Sequence, residues 1–82
     1  MKLRQFDDAD AAYVDFETGT EVARTVSLGD SVQLDYDARG TPVGVTFLYV
    51  SEGVQLGLVP VFKQQLNELL TRHKIRTATP AR

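Results

Sequence analysis

The residues best suited to chemistry in this sequence are two carboxylates close to a predicted turn. Asp35 and Asp37 lie two positions apart in the stretch Gln33 to Asp37, QLDYD. Residues two apart on an extended strand point to the same side, so the two carboxylates would share a face. With Asp15 or Glu17 nearby, such a pair could hold a cation or act as a general acid and base.

The same residue types also have simpler explanations. An aspartate at the start of a turn accepts hydrogen bonds from nearby backbone N–H groups, which explains Asp37 and leaves Asp35 as a solvated strand residue. Tyr13 points away from the predicted core face, and its ring offers a large contact area with a polar tip. Three roles therefore remain for Tyr13: a contact at an interface, packing within the chain, and catalysis. A small enzyme using Tyr13 and the Asp35/Asp37 pair is one alternative function.

The composition excludes several classes of functional site. The chain has 82 residues, no cysteine and a single histidine, His73. Disulfides, thiolate chemistry, cysteine-based zinc sites and a multi-histidine metal site within one chain are excluded, and we expect no cofactor and no metal. The aspartates at positions 7–10 lack the glycine and the distal glutamate of a calcium loop, and residues 53–57 lack the Lys-Ser/Thr of a phosphate loop.

Charge is unevenly distributed along the chain. Residues 1–62 carry four basic and ten acidic residues, a net charge of −6, whereas residues 63–82 carry five basic residues against one acidic, a net charge of +4. The basic segment Arg72 to Arg76, RHKIR, could contact phosphates, which makes a nucleic-acid-associated protein a second alternative. However, no aromatic residue is interleaved with it and the whole chain is acidic, so complementation of a helix dipole is the simpler explanation.

The length and the hydropathy pattern bound the architecture. We expect one domain at residues 1–76 and a flexible C-terminal tail at residues 77–82, where Pro80 and small polar residues favour fraying. No apolar run approaches the roughly 20 residues that a membrane helix needs. The first residues, MKLRQFDDAD, lack an apolar signal-peptide core, so we expect a cytoplasmic protein with no membrane contact.

The elements that must position these residues are strands arranged around a central hairpin at residues 33–50. Alternation with a period of two predicts four strands in meander order, near residues 11–17, 21–28, 31–37 and 43–50. Lys2 to Phe6 is a candidate for a further short strand, and Asp37 to Gly40 fits a type I turn followed by a left-handed glycine. The predicted fold class is α+β: a small antiparallel β-meander of about four strands with one C-terminal α-helix packed on one face.

The helix is predicted over residues 60–74. Pro60 would take the first helical position, where a missing N–H is tolerated. One helical face is mainly apolar and comprises Phe62, Leu66, Leu69, Leu70 and His73. Strand parity and this face together predict a core of Val14, Phe16, Val26, Leu34, Val45, Phe47, Leu66 and Leu70.

Several segments together resemble a known family. They are Asp10 to Phe16, Ala23 to Val26, Val32 to Asp37, Gly40 and Val43 through Ser51. With these residues the chain resembles the YuzE-like family of small bacterial proteins of unknown function, over roughly residues 8 to 59. The motif residues are Tyr13, Asp35, Tyr36, Asp37, Gly40 and Gly44. The resemblance implies a small antiparallel sheet with no assigned activity and, from toxin-like gene neighbours of some members, an antitoxin-like role.

One face of the predicted sheet has no element to cover it. A single helix covers one face of a four-stranded sheet, and Tyr13, Leu48 and Val50 belong to the opposite face. An exposed apolar patch usually marks an interface, and a symmetric homodimer is the commonest arrangement. We therefore favour a non-enzymatic protein-interaction module that self-associates as a homodimer, and that could also be the antitoxin-like partner of a small basic protein. Nucleic acid is not an expected partner.

Overall fold

The part of the chain that the structure describes folds into one β-sheet and one α-helix. The structure, a computed structural model, describes residues 1–17 and 20–78. Its elements are β1 (Lys2–Phe6), β2 (Ala11–Asp15), β3 (Arg24–Ser27), β4 (Val32–Tyr36), β5 (Pro42–Leu48) and the helix α1 (Lys63–Arg72). Three short 3₁₀ helices, Asp7–Ala9, Val50–Glu52 and Leu56–Leu58, lie in the connections. All strand pairs are antiparallel, so the predicted α+β class with a C-terminal helix is confirmed.

The sheet is built outward from the hairpin of β4 and β5, in the order β1-β2-β5-β4-β3. The candidate strand at Lys2–Phe6 is present as β1, so the sheet has five strands rather than about four. The predicted meander order was wrong at one junction, because β2 pairs with β5 and not with β3. The observed order places β5 at the centre, paired with β2 on one edge and β4 on the other, whereas a meander would leave it at an edge.

The turn between β4 and β5 has the predicted form. The Gly40 N–H donates to the Asp37 carbonyl oxygen at 3.0 Å, and Gly40 takes a left-handed φ of 85°. Glycine adopts this conformation without the steric penalty that a side chain brings. The sequence also predicts a turn at Thr18-Gly19-Thr20, of which Thr18 and Gly19 lie outside the described residues.

The core lies between one face of the sheet and the segment that contains α1. Six of the eight predicted core residues are fully buried, namely Val14, Leu34, Val45, Phe47, Leu66 and Leu70. Phe16 and Val26 are only half-buried, because Phe16 lies just after β2, beside Phe62, and Val26 lies on the edge strand β3. Val54 and Val59 add to the core from the connection at residues 51–59.

The helix is shorter than predicted. It begins at Lys63, after Phe62 in a left-handed conformation with φ of 56°, so Pro60 does not occupy its first position. The left-handed residue interrupts the helical path and lets the preceding chain bury Val59. None of the helices among residues 1–17 and 20–78 has both the length and the apolar character to cross a membrane.

The chain after α1 returns to the connection that precedes the helix. The Val54 N–H donates to the Arg76 carbonyl at 2.9 Å, and the Ala78 N–H donates to the Val54 carbonyl at 2.8 Å. Val54 and Thr77 thereby form an isolated parallel bridge. Of the tail predicted at residues 77–82, Thr77 and Ala78 make these contacts, and residues 79–82 lie outside the described part of the chain.

Candidate functional site

The sheet face opposite α1, which we call the open face, carries three rows of side chains in register across the strands. The first row is Phe6, Ala11 and Leu48. The second row is Arg4, Tyr13, Thr46, Gln33 and Ser27. The third row is Lys2, Asp15, Gly44, Asp35 and Thr25. The face is therefore apolar at one end and polar over the rest of its length.

A hydrogen bond between Tyr13 and Asp35 crosses the centre of the open face. The Tyr13 hydroxyl, from β2, donates to Asp35 Oδ2 on β4 at 2.8 Å. The ring passes over Gly44 on the intervening strand β5, where a Cβ atom would overlap the tyrosine hydroxyl. The other oxygen of Asp35, Oδ1, accepts a hydrogen bond from Thr25 Oγ1 on β3 at 2.6 Å. We call this set the Tyr13–Asp35 bridge, and it links strands β2, β4 and β3 across β5.

The environment of Tyr13 favours its neutral form. Burial, followed by the hydrogen bond and the negative charge of Asp35, raises the pKa of Tyr13 to about 12, while Arg4 acts in the opposite direction. At neutral pH the hydroxyl is therefore a hydrogen-bond donor. A general base or nucleophile needs a pKa closer to the working pH, so this tyrosine is suited to a fixed contact.

Arg4 lies beside Tyr13 on the edge strand β1. Its Nη2 is 3.4 Å from Asp15 Oδ2, and its guanidinium carbon is 5.2 Å from the centre of the Tyr13 ring. Ion pairs and cation–π contacts at such an accessible position contribute little individually. Together they give Arg4 and Asp15 partners within the chain.

Asp37 does not form a carboxylate pair with Asp35. The register shifts between Asp35 and Tyr36, so the alternation on which the predicted pair depended is broken before Asp37. Asp37 Oδ1 instead accepts the backbone N–H groups of Arg39 and Thr41, both at 2.9 Å. The hydrogen bond from Thr41, followed by that from Arg39, lowers the pKa of Asp37. The structure thus supports the turn explanation for this residue.

The three interface candidates separate in the structure. Tyr13 and Leu48 are half-buried on the open face, as predicted. The placement of Val50 on the same face was wrong, because Val50 packs against the core. Tyr49 has a left-handed φ of 56°, which ends the alternation after β5. Phe6, 45% exposed in the first row, was missed, although the alternation of Lys2–Phe6 placed it on one face with Arg4.

Two cavities lie away from the Tyr13–Asp35 bridge. One, of about 240 Å³, lies at the turn between β1 and β2, and the other, of about 320 Å³, lies at the β4–β5 turn. In the part of the chain that the structure describes, no three His, Cys, Asp or Glu side chains are grouped so that they could hold a metal ion. The basic residues Arg72, His73, Lys74 and Arg76 are exposed at the end of α1 and just after it.

Comparison with known proteins identifies a family. No curated protein and no solved structure matches this sequence. A family model described as "Protein of unknown function (DUF2283)" matches residues 2–51, which is more than half of the 82 residues. The matched segment contains all five strands and the whole Tyr13–Asp35 bridge. The chain therefore belongs to the DUF2283 family of proteins of unknown function.

Proposed function

We propose that this protein is a non-enzymatic interaction module that self-associates through its open face. The proposal rests on the burial and the charge pairing of the side chains on that face. Within residues 1–17 and 20–78, α1 and the connection before it pack on the core face, and Tyr13, Thr46 and Leu48 stay half-buried on the other side. The charged groups Asp15 and Asp35 already have partners within the chain. Burying these two carboxylates would therefore cost less than burying unpaired charges.

The occupant we propose is a second copy of the chain. The apolar first row, Phe6, Ala11 and Leu48, supplies a hydrophobic contact at one end of the face. A standard interface takes about 800 Å² from each partner, and the chain has 5429 Å² of accessible surface. A molecule measuring 33 × 26 × 25 Å has a side large enough for such a contact. Two-fold pairing of identical faces is the commonest form of closed assembly.

The chemistry of the bridge supports a structural role over catalysis. Tyr13, with its pKa raised to about 12, holds its proton at neutral pH. Asp35 accepts two hydrogen bonds, and Asp37 is engaged by the turn. Among the motif residues, Tyr13, Asp35 and Gly44 thus act together to build the surface of the sheet.

The finer features of the proposal come from the resemblance to YuzE-like proteins. They are a bacterial origin and an antitoxin-like association with a small basic protein. The proposed cytoplasmic location rests instead on the hydropathy pattern of the chain. The same open face would serve such a partner, and the acidic segment at residues 1–62 would attract it. We favour the second copy for two reasons. The apolar row offers a contact for an identical apolar row, and the carboxylates of Asp15 and Asp35 already have partners within the chain, so they do not need a basic protein.

Sedimentation equilibrium at micromolar concentrations tests the proposal. We expect the wild-type chain to dimerise and Leu48→Asp to sediment as a folded monomer, because a charge would be buried in the interface. Leu58→Asp is the matched control, since Leu58 is 45% exposed in the 3₁₀ helix Leu56–Leu58. It should dimerise like the wild type.

If Leu48→Asp does not fold, Phe6→Ser provides the second variant, because Phe6 is exposed in the same apolar row. A wild-type monomer throughout the concentration range, or dimers of both Phe6→Ser and folded Leu48→Asp, would refute self-association through the open face. Binding of RNA or DNA with a steep salt dependence would instead support the basic end of α1 as the functional surface.

A further inference from the structure

A recess with an acidic rim lies at the end of the open face, between the β1–β2 turn and the 3₁₀ helix Val50–Glu52. Its volume is about 240 Å³, and it is lined by Gln5, Phe6, Asp7, Asp10, Ala11, Val50 and Ser51. Sites for drug-sized ligands begin at roughly 300 Å³, so the recess suits a single side chain. None of its seven lining residues, all in the described part of the chain, is basic.

The carboxylate of Asp10 is fixed at this recess. Its Oδ1 accepts the Ser51 N–H at 2.8 Å, and its Oδ2 accepts the Ser51 hydroxyl at 2.7 Å. Asp10 itself has a left-handed φ of 51°, and its carbonyl oxygen accepts the Val50 N–H at 3.0 Å. Each carboxylate oxygen keeps a further lone pair for another donor. A charge held in this way is pre-organised for a cation, because little side-chain freedom remains to be lost on binding.

Two arginine side chains of the same chain lie close to residues that line the recess. Arg76 Nη2 donates to the Ser51 carbonyl oxygen at 3.3 Å. The guanidinium carbon of Arg4 lies 6.0 Å from the centre of the Phe6 ring, which is the outer range of a cation–π contact. One arginine thus contacts a lining residue through an oxygen acceptor, and another lies at the outer range of contact with the aromatic ring of a second lining residue. Arginine is more weakly hydrated than lysine and stacks on aromatic faces, which suits it to a recess with a phenylalanine wall and carboxylates on its rim.

We propose that the recess binds an arginine side chain presented by an exposed segment of a partner protein. The guanidinium would lie against the carboxylates of Asp7 and Asp10, which are the charged groups of the rim. The aliphatic stem would lie along Phe6 and Val50, as arginine stems do on apolar surface. The proposal does not rest on self-association, since all of the lining residues come from a single chain.

The test is a titration of the isotopically labelled full chain, followed by amide chemical shifts. The probe is the peptide acetyl-Leu-Arg-Leu-amide, compared with the peptide in which neutral citrulline replaces arginine. We expect saturable shifts at Asp7, Asp10, Ala11 and Ser51 with the arginine peptide and at least about tenfold weaker binding of the citrulline peptide. Asp7→Asn should weaken the arginine peptide about fivefold.

Glu17→Gln is the control variant, because it removes one exposed carboxylate at the opposite end of β2 from Asp10. It should bind the arginine peptide like the wild type. Equal binding of the two peptides, shifts centred on other residues, or equal effects of Asp7→Asn and Glu17→Gln would overturn the proposal. Lack of saturable binding at millimolar peptide would overturn it too. Because Phe6 and Ala11 also belong to the apolar row proposed for the dimer, the titration is repeated with the folded monomeric Leu48→Asp chain, which should bind the arginine peptide at least as tightly as the wild type.

Discussion

Tyr13 and Gly44 share one space on the open face, where the tyrosine hydroxyl lies at the position that the first side-chain atom of any other residue 44 would take. A glycine inside a strand normally weakens it, because glycine contributes no side chain to packing. Here the missing side chain lets the Tyr13 ring cross β5 and reach Asp35 on the next strand. The contact between Tyr13 and Asp35 therefore requires glycine at position 44.

Gly44→Ala should destabilise the protein by about 1–3 kcal/mol, as expected when an atom is inserted into a filled space. The added methyl group would overlap the Tyr13 hydroxyl and come within 3.1 Å of the Val14 carbonyl oxygen. Urea denaturation measures the change in the free energy of unfolding. In a Tyr13→Ala background the same substitution should have a much smaller effect, and an equal loss in both backgrounds would show that the two residues do not compete for space.

Tyr13→Phe should lower the free energy of unfolding by about 1–2 kcal/mol, because Asp35 would lose one of its two hydrogen-bond donors while staying partly buried. Tyr49→Phe is the matched control. The Tyr49 side chain is 53% exposed, so this change should stay within about 0.5 kcal/mol of the wild type. Similar small effects for both variants would mean that the Tyr13–Asp35 bridge adds nothing to stability.

Alkaline pH should weaken the fold through Tyr13. The pKa of this tyrosine is raised from 10.0 to about 12 in the folded chain, so the unfolded chain loses the proton first as the pH rises. Its stabilising contribution is complete below pH 10 and is lost between about pH 10 and 12. Denaturation of the wild type and Tyr13→Phe across this range should show a steeper decline for the wild type. Parallel pH profiles would contradict the raised pKa.

Phe47→Ala should cost about 3–5 kcal/mol, most of the stability of a small domain. Phe47 is 1% exposed at the centre of the core, whereas Phe62 is 42% exposed beside α1. Phe62→Ala is therefore the control and should cost about 1 kcal/mol. Chemical denaturation of both variants provides the comparison, and a loss below about 1 kcal/mol for Phe47→Ala would mean that the ring is not packed as the structure has it.

The sequence is informative about the faces of strands and less so about their neighbours. Alternation identified the hairpin of β4 and β5 and assigned Val14, Leu34 and Phe47 to the core, because parity depends only on local spacing. It carries no information on whether β2 lies beside β3 or β5. That choice depends on contacts between residues far apart in the chain, such as the one between Tyr13 and Asp35 across β5.

The candidate site was predictable as a set of residues but not as an arrangement. Tyr13 and Asp35 were singled out together from the sequence, yet their hydrogen bond requires β5 to lie between them and Gly44 to give them room. The placement of Val50 failed for another reason. Tyr49 adopts a left-handed backbone conformation, which bulky residues rarely do. No local sequence pattern predicts this conformation.

The strand order also has a consequence for how the chain folds. The β4–β5 hairpin closes through a short turn, whereas Ala11 and Leu48, paired across β2 and β5, are 37 positions apart. Closing the longer loop costs about 1.5–2 kcal/mol more in chain entropy than closing the turn. We therefore expect the hairpin to nucleate folding and β2 to dock on it later. The Tyr13–Asp35 bridge would then form on the native side of the rate-limiting barrier, so Tyr13→Phe should speed unfolding while leaving the refolding rate nearly unchanged.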